Sequence, residues 1–428
     1  MVSRAPAVGG VAPWRRVLAS PAWRALLGAA TLSTFGDQLA RLALASAVYS
    51  RSHSPFLTAC TYALSYAPYI VSAGALAGLA DRLSRSRLMI LCDVARVALA
   101  LVIAFWATAP IWWLFVVFTA LAVAEPPFEA ARAAMMPELL DEEAYVAGHS
   151  ILQTSVAVFG AAGFALGGVL AASWGLRGAM IVDAGTFATS ALAVVMFVPR
   201  SGSASATSDS RRGEASLSAR RALRLVRSDR RLRWLLLVAS GGAACTVVAD
   251  GLAVAIAAHD GHGPAAAGLL AAAPLVGALA VATLHTARLS AAARPRQIRP
   301  LAFVSTGALA MGLFAPGFYL TVVAFAIAGG GTTFQLLANQ EYVLAAPAAS
   351  RGAAFGLASA AITAASASGM LGAGFIADYI EPVRVVGLIG IAGVAFTFAI
   401  GPFSSEERKP RTDRRSARVA RVRAEAVS

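Results

Sequence analysis

The sequence predicts an all-α integral membrane protein, with twelve transmembrane helices in two six-helix bundles. Of its 428 residues, 58% are hydrophobic and only 14% charged, against roughly 45–50% and about 25% in soluble domains. The apolar residues run in uncharged blocks of about 20, the length that crosses a bilayer's hydrocarbon core as a helix. The basic residues gather between these blocks and at both ends of the chain. This composition excludes a soluble enzyme, a disordered chain and a disulfide-rich secreted domain.

The blocks place spans at about 26–49, 56–79, 88–108, 111–132, 147–172, 177–198, 233–257, 264–287, 300–316, 319–342, 352–377 and 383–403. Turn residues at Ser54-Pro55, Ala109-Pro110, Gly175 and Pro316-Gly317 separate neighbours. An even number of spans puts both termini on one side. With that side cytoplasmic, 30 of the 36 basic residues fall in cytoplasmic segments. They are four before the first span, three over 82–87, ten over 200–233, four over 288–299, Arg351 and eight in the tail. Outer segments hold Arg51, Arg177 and Arg384, and Arg41, Arg96 and Arg132 lie within spans. The positive-inside rule then makes both termini cytoplasmic, with anionic membrane lipid as the partner of the basic clusters. Abundant Ala, Gly and Arg, with Lys409 the one lysine, reads as a GC-rich bacterial genome. The expected location is the bacterial inner membrane.

The domain reading follows. Residues 1–25 form a basic cytoplasmic N-terminus, 26–198 the first bundle, 199–232 a linker, 233–403 the second bundle and 404–428 a basic tail. The linker opens with the flexible SGSASATSDS and continues as LSARRALRLVRSDRRLRW, a basic amphipathic segment suited to the inner leaflet. An internal repeat supports two copies. At an offset of 206, Arg82-Leu83-Ser84 matches Arg288-Leu289-Ser290, and Gly163 and Gly168 match Gly369 and Gly374. Asp81 becomes Ala287 in the second copy.

Other chemistries find little support. Cys60, Cys92 and Cys245 show no CxxC spacing, so neither a disulfide framework nor a zinc site is indicated. His259 and His262 flank Gly261 and read as loop residues, not metal ligands. A pI near 10.8 fits nucleic-acid binding, but no aromatic-interleaved basic groove accompanies it. The first block contains Asp37 and Arg41 and exceeds a signal peptide's apolar region, so it reads as a retained helix. No nucleotide-binding GxxxxGK[ST] and no nucleophile–base set occurs, so no cofactor and no enzyme activity are expected.

The loop AGLADRLSRSRL (77–88) resembles motif A of the major facilitator superfamily, with Asp81-Arg82-x-x-Arg85-x-Arg87 as its core. Ala77 and Ser84 replace two of that motif's glycines. Three stretches resemble the superfamily's bacterial drug- and siderophore-exporter branch: GDQLARLALASAVYSRSHS (36–54), EPPFEAARAAMMPELL (125–140) and QEYVLAAPAASRGAAFGL (340–357). The resemblance implies the major facilitator fold and a conformational latch around motif A. In that latch Asp81 meets the N-terminus of the eleventh span near Ser350-Arg351-Gly352, where the helix dipole favours a carboxylate, and Arg82 belongs to the same gate. Arg85 would pair with Glu129, and Glu341 with Arg351. Gly163, Gly167 and Gly168 resemble the superfamily's antiporter motif C, with Phe164 in place of its Pro. Close helix packing explains that run as well as an export-specific bend does.

Polar residues within a bilayer are costly and therefore informative. Asp37 and Arg41 are spaced to pair with each other; alternatively Asp37 exchanges a proton as access alternates. Glu125, before the helix-kinking Pro126-Pro127, is the second proton-coupling candidate. Arg41, Gln153, Asp250, Gln335 and Asn339 are the substrate-cavity candidates, Asp93 and Arg96 a structural pair, and Asp183 a structural residue. The resemblance implies a monomeric secondary transporter driven by the proton gradient, exporting small, partly hydrophobic molecules by alternating access. The alternatives are an importer or uniporter of the same fold, and a non-transporting sensor or scaffold.

Overall fold

The computed structural model describes residues 13–75, 83–199, 222–284, 293–347 and 350–401, and these contain helices and turns but no strand. A short helix α1 (Pro13–Ala19) leads into α2 (Pro21–Ser52). Ser20 caps α2, its hydroxyl accepting from the Trp23 N–H at 3.3 Å, and Pro21 opens the first turn. These two signals and the buried Trp23 start the helix a turn before its hydropathy suggests. Then follow α3 (Pro55–Ala75), α4 (Arg85–Phe105), α5 (Ile111–Val123) and α6 (Glu125–Leu139).

The fifth and sixth spans form one helical run, α7 (Glu142–Phe197), bent at Gly175. Gly175 has φ 62° and ψ −166°, backbone essentially restricted to glycine, so the turn read from the sequence is made by one residue. A helix over 222–228, α8, precedes α9 (Arg230–Thr246) and α10 (Val248–His259). The chain ends with α11 (Pro264–Leu284), α12 (Arg294–Ala310), a 3₁₀ turn (Met311–Phe314), α13 (Phe318–Gly331), α14 (Thr333–Ala345), α15 (Arg351–Ala377) and α16 (Pro382–Ile400).

Among the described residues, eight segments are long and apolar enough to cross a bilayer, and one of these, Ala144–Phe197, contains the Gly175 bend. The other three expected spans are the helices α2, α3 and α12, which fall outside that criterion. Within the linker, the amphipathic helix α8 buries Ala222 and Val226, and Val226 packs with Leu232, Trp234 and Ile298 of the second half. Leu223, Arg224 and Arg227 stay exposed. Most of the linker, 200–221, lies outside the described residues.

The bundle has two chemically distinct ends. One carries the short turns near His53, Ala109, Gly175, Gly261 and Gly317, and is called here the hairpin end. Trp106, Trp112, Trp174, Tyr319 and Tyr379 are all exposed there, the aromatic girdle expected at a membrane interface. The opposite, arginine end carries Arg16, Arg24, Arg85, Arg87, Arg224 and Arg294.

The hydrophobic cores show where the two halves meet. The largest joins Leu42, Ala59, Tyr62 and Phe164 of the first half to Val248, Leu252, Leu270 and Phe325 of the second. At the arginine end each core belongs to one half. Met89, Phe128 and Met135 pack within the first, and Leu232, Phe334 and Tyr342 within the second. The halves are therefore joined towards the hairpin end, with separate cores towards the arginine end.

Candidate functional site

Three helical spans carry a slight step near mid-height, each beside polar residues, with the backbone still in the right-handed helical region at the step. Ala124 separates α5 from α6, Val247 separates α9 from α10, and Thr332 separates α13 from α14. The first step follows from Pro126 and Pro127, which cannot donate to the preceding turn. It leaves Glu125 in the first turn of α6. The others place Thr246, Asp250 and Gln335 beside comparable steps.

The first span, α2, is continuous and carries the strongest polar contact. Asp37 accepts from the Arg96 guanidinium at 2.9 and 3.1 Å. Arg96 also donates to the Ser33 hydroxyl at 2.9 Å and lies 4.3 Å from the Phe187 ring centroid. The Arg96 side chain is 1% exposed and that of Asp37 12%. This corrects two expected pairings. Arg41 turns back to the Gln38 amide oxygen at 2.8 Å, and Asp93 accepts from the Ser190 hydroxyl at 2.6 Å. The reason is burial. An unpaired guanidinium in the bundle interior is costly, and Asp37, from the neighbouring helix, supplies its carboxylate.

A second group spans the two halves. Arg41 has Glu125, Tyr66, Asp37 and Tyr62 as electrostatic neighbours, and Asp250 of the second half has Arg41. Tyr69 has Glu125 as an electrostatic neighbour, and Gln335 donates to the Thr246 hydroxyl at 3.4 Å. Asp250 keeps one buried oxygen without a hydrogen-bond partner in the protein. Gln153 is exposed 3.5 Å from His149, on the α7 stripe that further along carries Gly160, Phe164 and Gly168. Asn339 instead borders a groove of about 410 Å³ with Arg294, Leu336 and Leu344. Sequence reasoning missed Tyr62, Tyr66 and Tyr69. Their i, i+4 and i, i+7 spacing on α3 was the available signal, unread because tyrosines in apolar helices are common.

A sequence profile described as the Major Facilitator Superfamily matches residues 26–343. The chain belongs to the major facilitator superfamily. It is 28% identical over 382 residues to an uncharacterized MFS-type transporter, YfiS, of Bacillus subtilis strain 168, covering 83% of this chain and 86% of the relative. Solved structures share the fold at low identity. A POT family transporter in complex with a thioalcohol-conjugated peptide has a TM-score of 0.71 at 11% identity, over 93% of this chain and 100% of that one. The nucleoside transporter NupG scores 0.68 at 14% identity, over 88% and 97%. The human organic anion transporter MFSD10 scores 0.63 at 15% identity, over 91% and 100%. The chain is thus a multi-pass membrane transporter of this superfamily.

Within the superfamily frame, Asp81 and Arg82 of the motif A-like loop lie outside the described residues. Arg85 does not reach Glu129. It bonds the Ala134 carbonyl at 2.7 Å and the Glu138 carboxylate, while Glu129 pairs with Arg132 at 2.8 Å. Glu138 lies near the C-terminal end of α6, where Arg85 at the start of α4 meets it. Glu341 pairs with Arg231 at 2.6 Å, not with Arg351. Arg351, opening α15, donates to the Val343 carbonyl at 3.1 Å, in the last turn of α14, where the helix dipole favours a cation.

The three motif C-like glycines each allow a close approach. A side chain at Gly163 or Gly167 would run into the α2 backbone at Phe35 or Leu39. At Gly168 it would meet Pro264 and Gly268 of the second half. Phe164, replacing the Pro, is buried with its ring centroid 6.4 Å from that of Tyr62.

One contact across the hairpin end had no counterpart in the sequence reading. Asp378, just past α15, accepts from the Ser54 hydroxyl at 3.0 Å and from the Phe56 N–H at 3.0 Å. It thereby caps the first turn of α3 from the other half. Phe56 and Phe375 meet edge-to-face beside it, with centroids 6.2 Å apart. Charge-assisted bonds at such an exposed site contribute about 1–2 kcal/mol. Asp378→Ala is expected to raise the population open at the hairpin end by about tenfold. Spin-label distances between the turns near Ala109 and Asp260 report this, and an unchanged distribution would show that Asp378 holds nothing closed.

Proposed function

We propose that this chain is a proton-coupled exporter of small, partly hydrophobic molecules, working as a monomer in a bacterial inner membrane by alternating access. The arginine end faces the cytoplasm and its anionic lipid, and both termini lie there. The observation that carries the reading is the buried Asp37–Arg96 pair on the continuous first span, level with Arg41, Glu125 and Asp250 around the junction of the halves. A carboxylate whose ionised form depends on one partner changes its proton affinity when that partner moves. Rocking of the halves provides the movement. The apolar and tyrosine-rich surroundings suit a substrate with an aromatic or aliphatic body. Arg41 and Asp250 provide charges of both signs for its polar groups.

The test is the accumulation of ethidium and rhodamine 6G in a pump-deficient bacterium with and without the protein. Lower accumulation that a protonophore abolishes supports proton-coupled export. Higher accumulation reassigns the chain as an importer, and a protonophore-insensitive change reassigns it as a uniporter.

A further inference from the structure

Arg96 stands among more carboxylates than it can neutralise. Besides Asp37 it has Asp93 one turn away on its own helix and Asp183 on α7, both fully buried, and Glu125 on the fourth span. Asp93 accepts the Ser190 hydrogen bond on one oxygen, and its other oxygen has no partner in the protein. Asp183 lies against Gly36, where a Cβ would strike it, and beside the Thr186 hydroxyl at 3.5 Å. Its second oxygen is likewise unpartnered. The charged groups facing Asp183 are Asp37 and Arg41 of α2 and Arg96 of α4. The charged group facing Asp93 is Arg96, and the neutral Ser190 hydroxyl faces it from α7. Two extra ionised carboxylates in so dry a place would be untenable beside one guanidinium already engaged by Asp37.

A groove reaches this cluster from the arginine end. It has a volume of about 340 Å³ and runs between α2 and α7, past Arg24, Gly28 and Leu32 on one wall and Phe197, Ala193 and Ser190 on the other. Its polar lining is Arg24, Thr189 and Ser190, and Ser190 is the residue bonded to Asp93. The groove is flanked by first-half residues alone, so it is separate from the junction between the halves.

We propose that Asp93 and Asp183 hold protons beside Arg96, and that the groove between α2 and α7 is a proton path from the arginine end through Ser190 to Asp93, apart from the substrate path. This rests on the proton-coupled reading above. A proton leaves Asp93 by way of the Ser190 hydroxyl to water in the groove. Arg96 then pairs with the ionised Asp93, and Asp37, losing its partner, takes up a proton from the side to which the junction is open. One proton enters at Asp37 and one leaves at Asp93, and only O–H bonds form and break. Asp183 stays neutral and keeps a second acid from competing for Arg96.

The experiment uses the full chain in phosphatidylethanolamine–phosphatidylglycerol vesicles, with infrared difference spectra after transfer to D₂O. Asp93→Asn and Asp183→Asn, both isosteric, are each expected to remove one band of a protonated carboxyl. If neither band is lost, both acids are ionised and the proposal falls. Gly28→Leu places a side chain in the groove at a position where nothing lies within 4 Å of an added Cβ. It and Ser190→Ala are expected to slow the deuterium shift of the Asp93 band by about tenfold or more, leaving any Asp250 band unaffected. An unchanged exchange rate in both would overturn the path. Dye transport without proton dependence, with these bands and rates as expected, would instead retire the exporter reading and leave the proton sites standing.

Discussion

Asp37→Asn is expected to abolish uphill dye efflux while leaving downhill exchange and folding nearly intact. The asparagine keeps the shape and an acceptor for Arg96, but it cannot bind and release a proton. Arg96 retains Glu125 as an electrostatic neighbour and Asp93, which can ionise in the place of Asp37, so its charge is not stranded. The loss should show as a fall of about tenfold or more in the concentration ratio that cells maintain, with rates down a gradient little changed. Uphill pumping at the normal rate by this variant would remove Asp37 from the coupling step.

Arg96→Met is expected to be worse for the fold than for the shape of the bundle. Methionine fills much of the volume against Phe187, yet the change strips Asp37 of its partner and Ser33 of its donor. Removing one member of a buried ion pair costs about 3–5 kcal/mol. The lower end applies here because Arg41 stands near Asp37. The thermal midpoint in detergent should fall by several degrees, and the double variant Asp37→Asn/Arg96→Met should recover most of the loss. A double variant no more stable than Arg96→Met alone would show that the pair is not what Arg96 stabilises.

These two predictions concern residues whose partnership the sequence did not disclose, though both stood out as charges in apolar blocks. Spacing along one helix suggested Asp37 with Arg41 and Asp93 with Arg96. The tertiary contacts instead join Asp37 to Arg96 and Asp93 to Ser190. Local spacing counts only neighbours three or four residues apart, whereas α4 and α7 bring groups from distant sequence within hydrogen-bond reach. Arg85, Glu341 and Arg351 repeat the lesson at the arginine end, where each found a partner other than the nearest plausible one in sequence. Asp378 is the converse case. It lies at the end of a span where an acid is unremarkable, and its role as a cap on α3 exists only because the halves meet there.

What the sequence determined by itself is the membrane class, the family and the positions of most turns. Bilayer thickness imposes a length on every apolar block, and backbone hydrogen bonding leaves the helix as the form those blocks take. Local chemistry placed the bend at Gly175 and the step at Pro126-Pro127, because the glycine's backbone freedom and the prolines' missing N–H act where they stand in the chain. Ion pairing, the facing of Gln153 and Asn339, the joining of the halves at the hairpin end and the groove beside Ser190 were decided only by tertiary structure. In an alanine-rich helix every face looks alike to hydropathy, and a buried charge is satisfied by whichever opposite group the packing brings within about 3 Å of it.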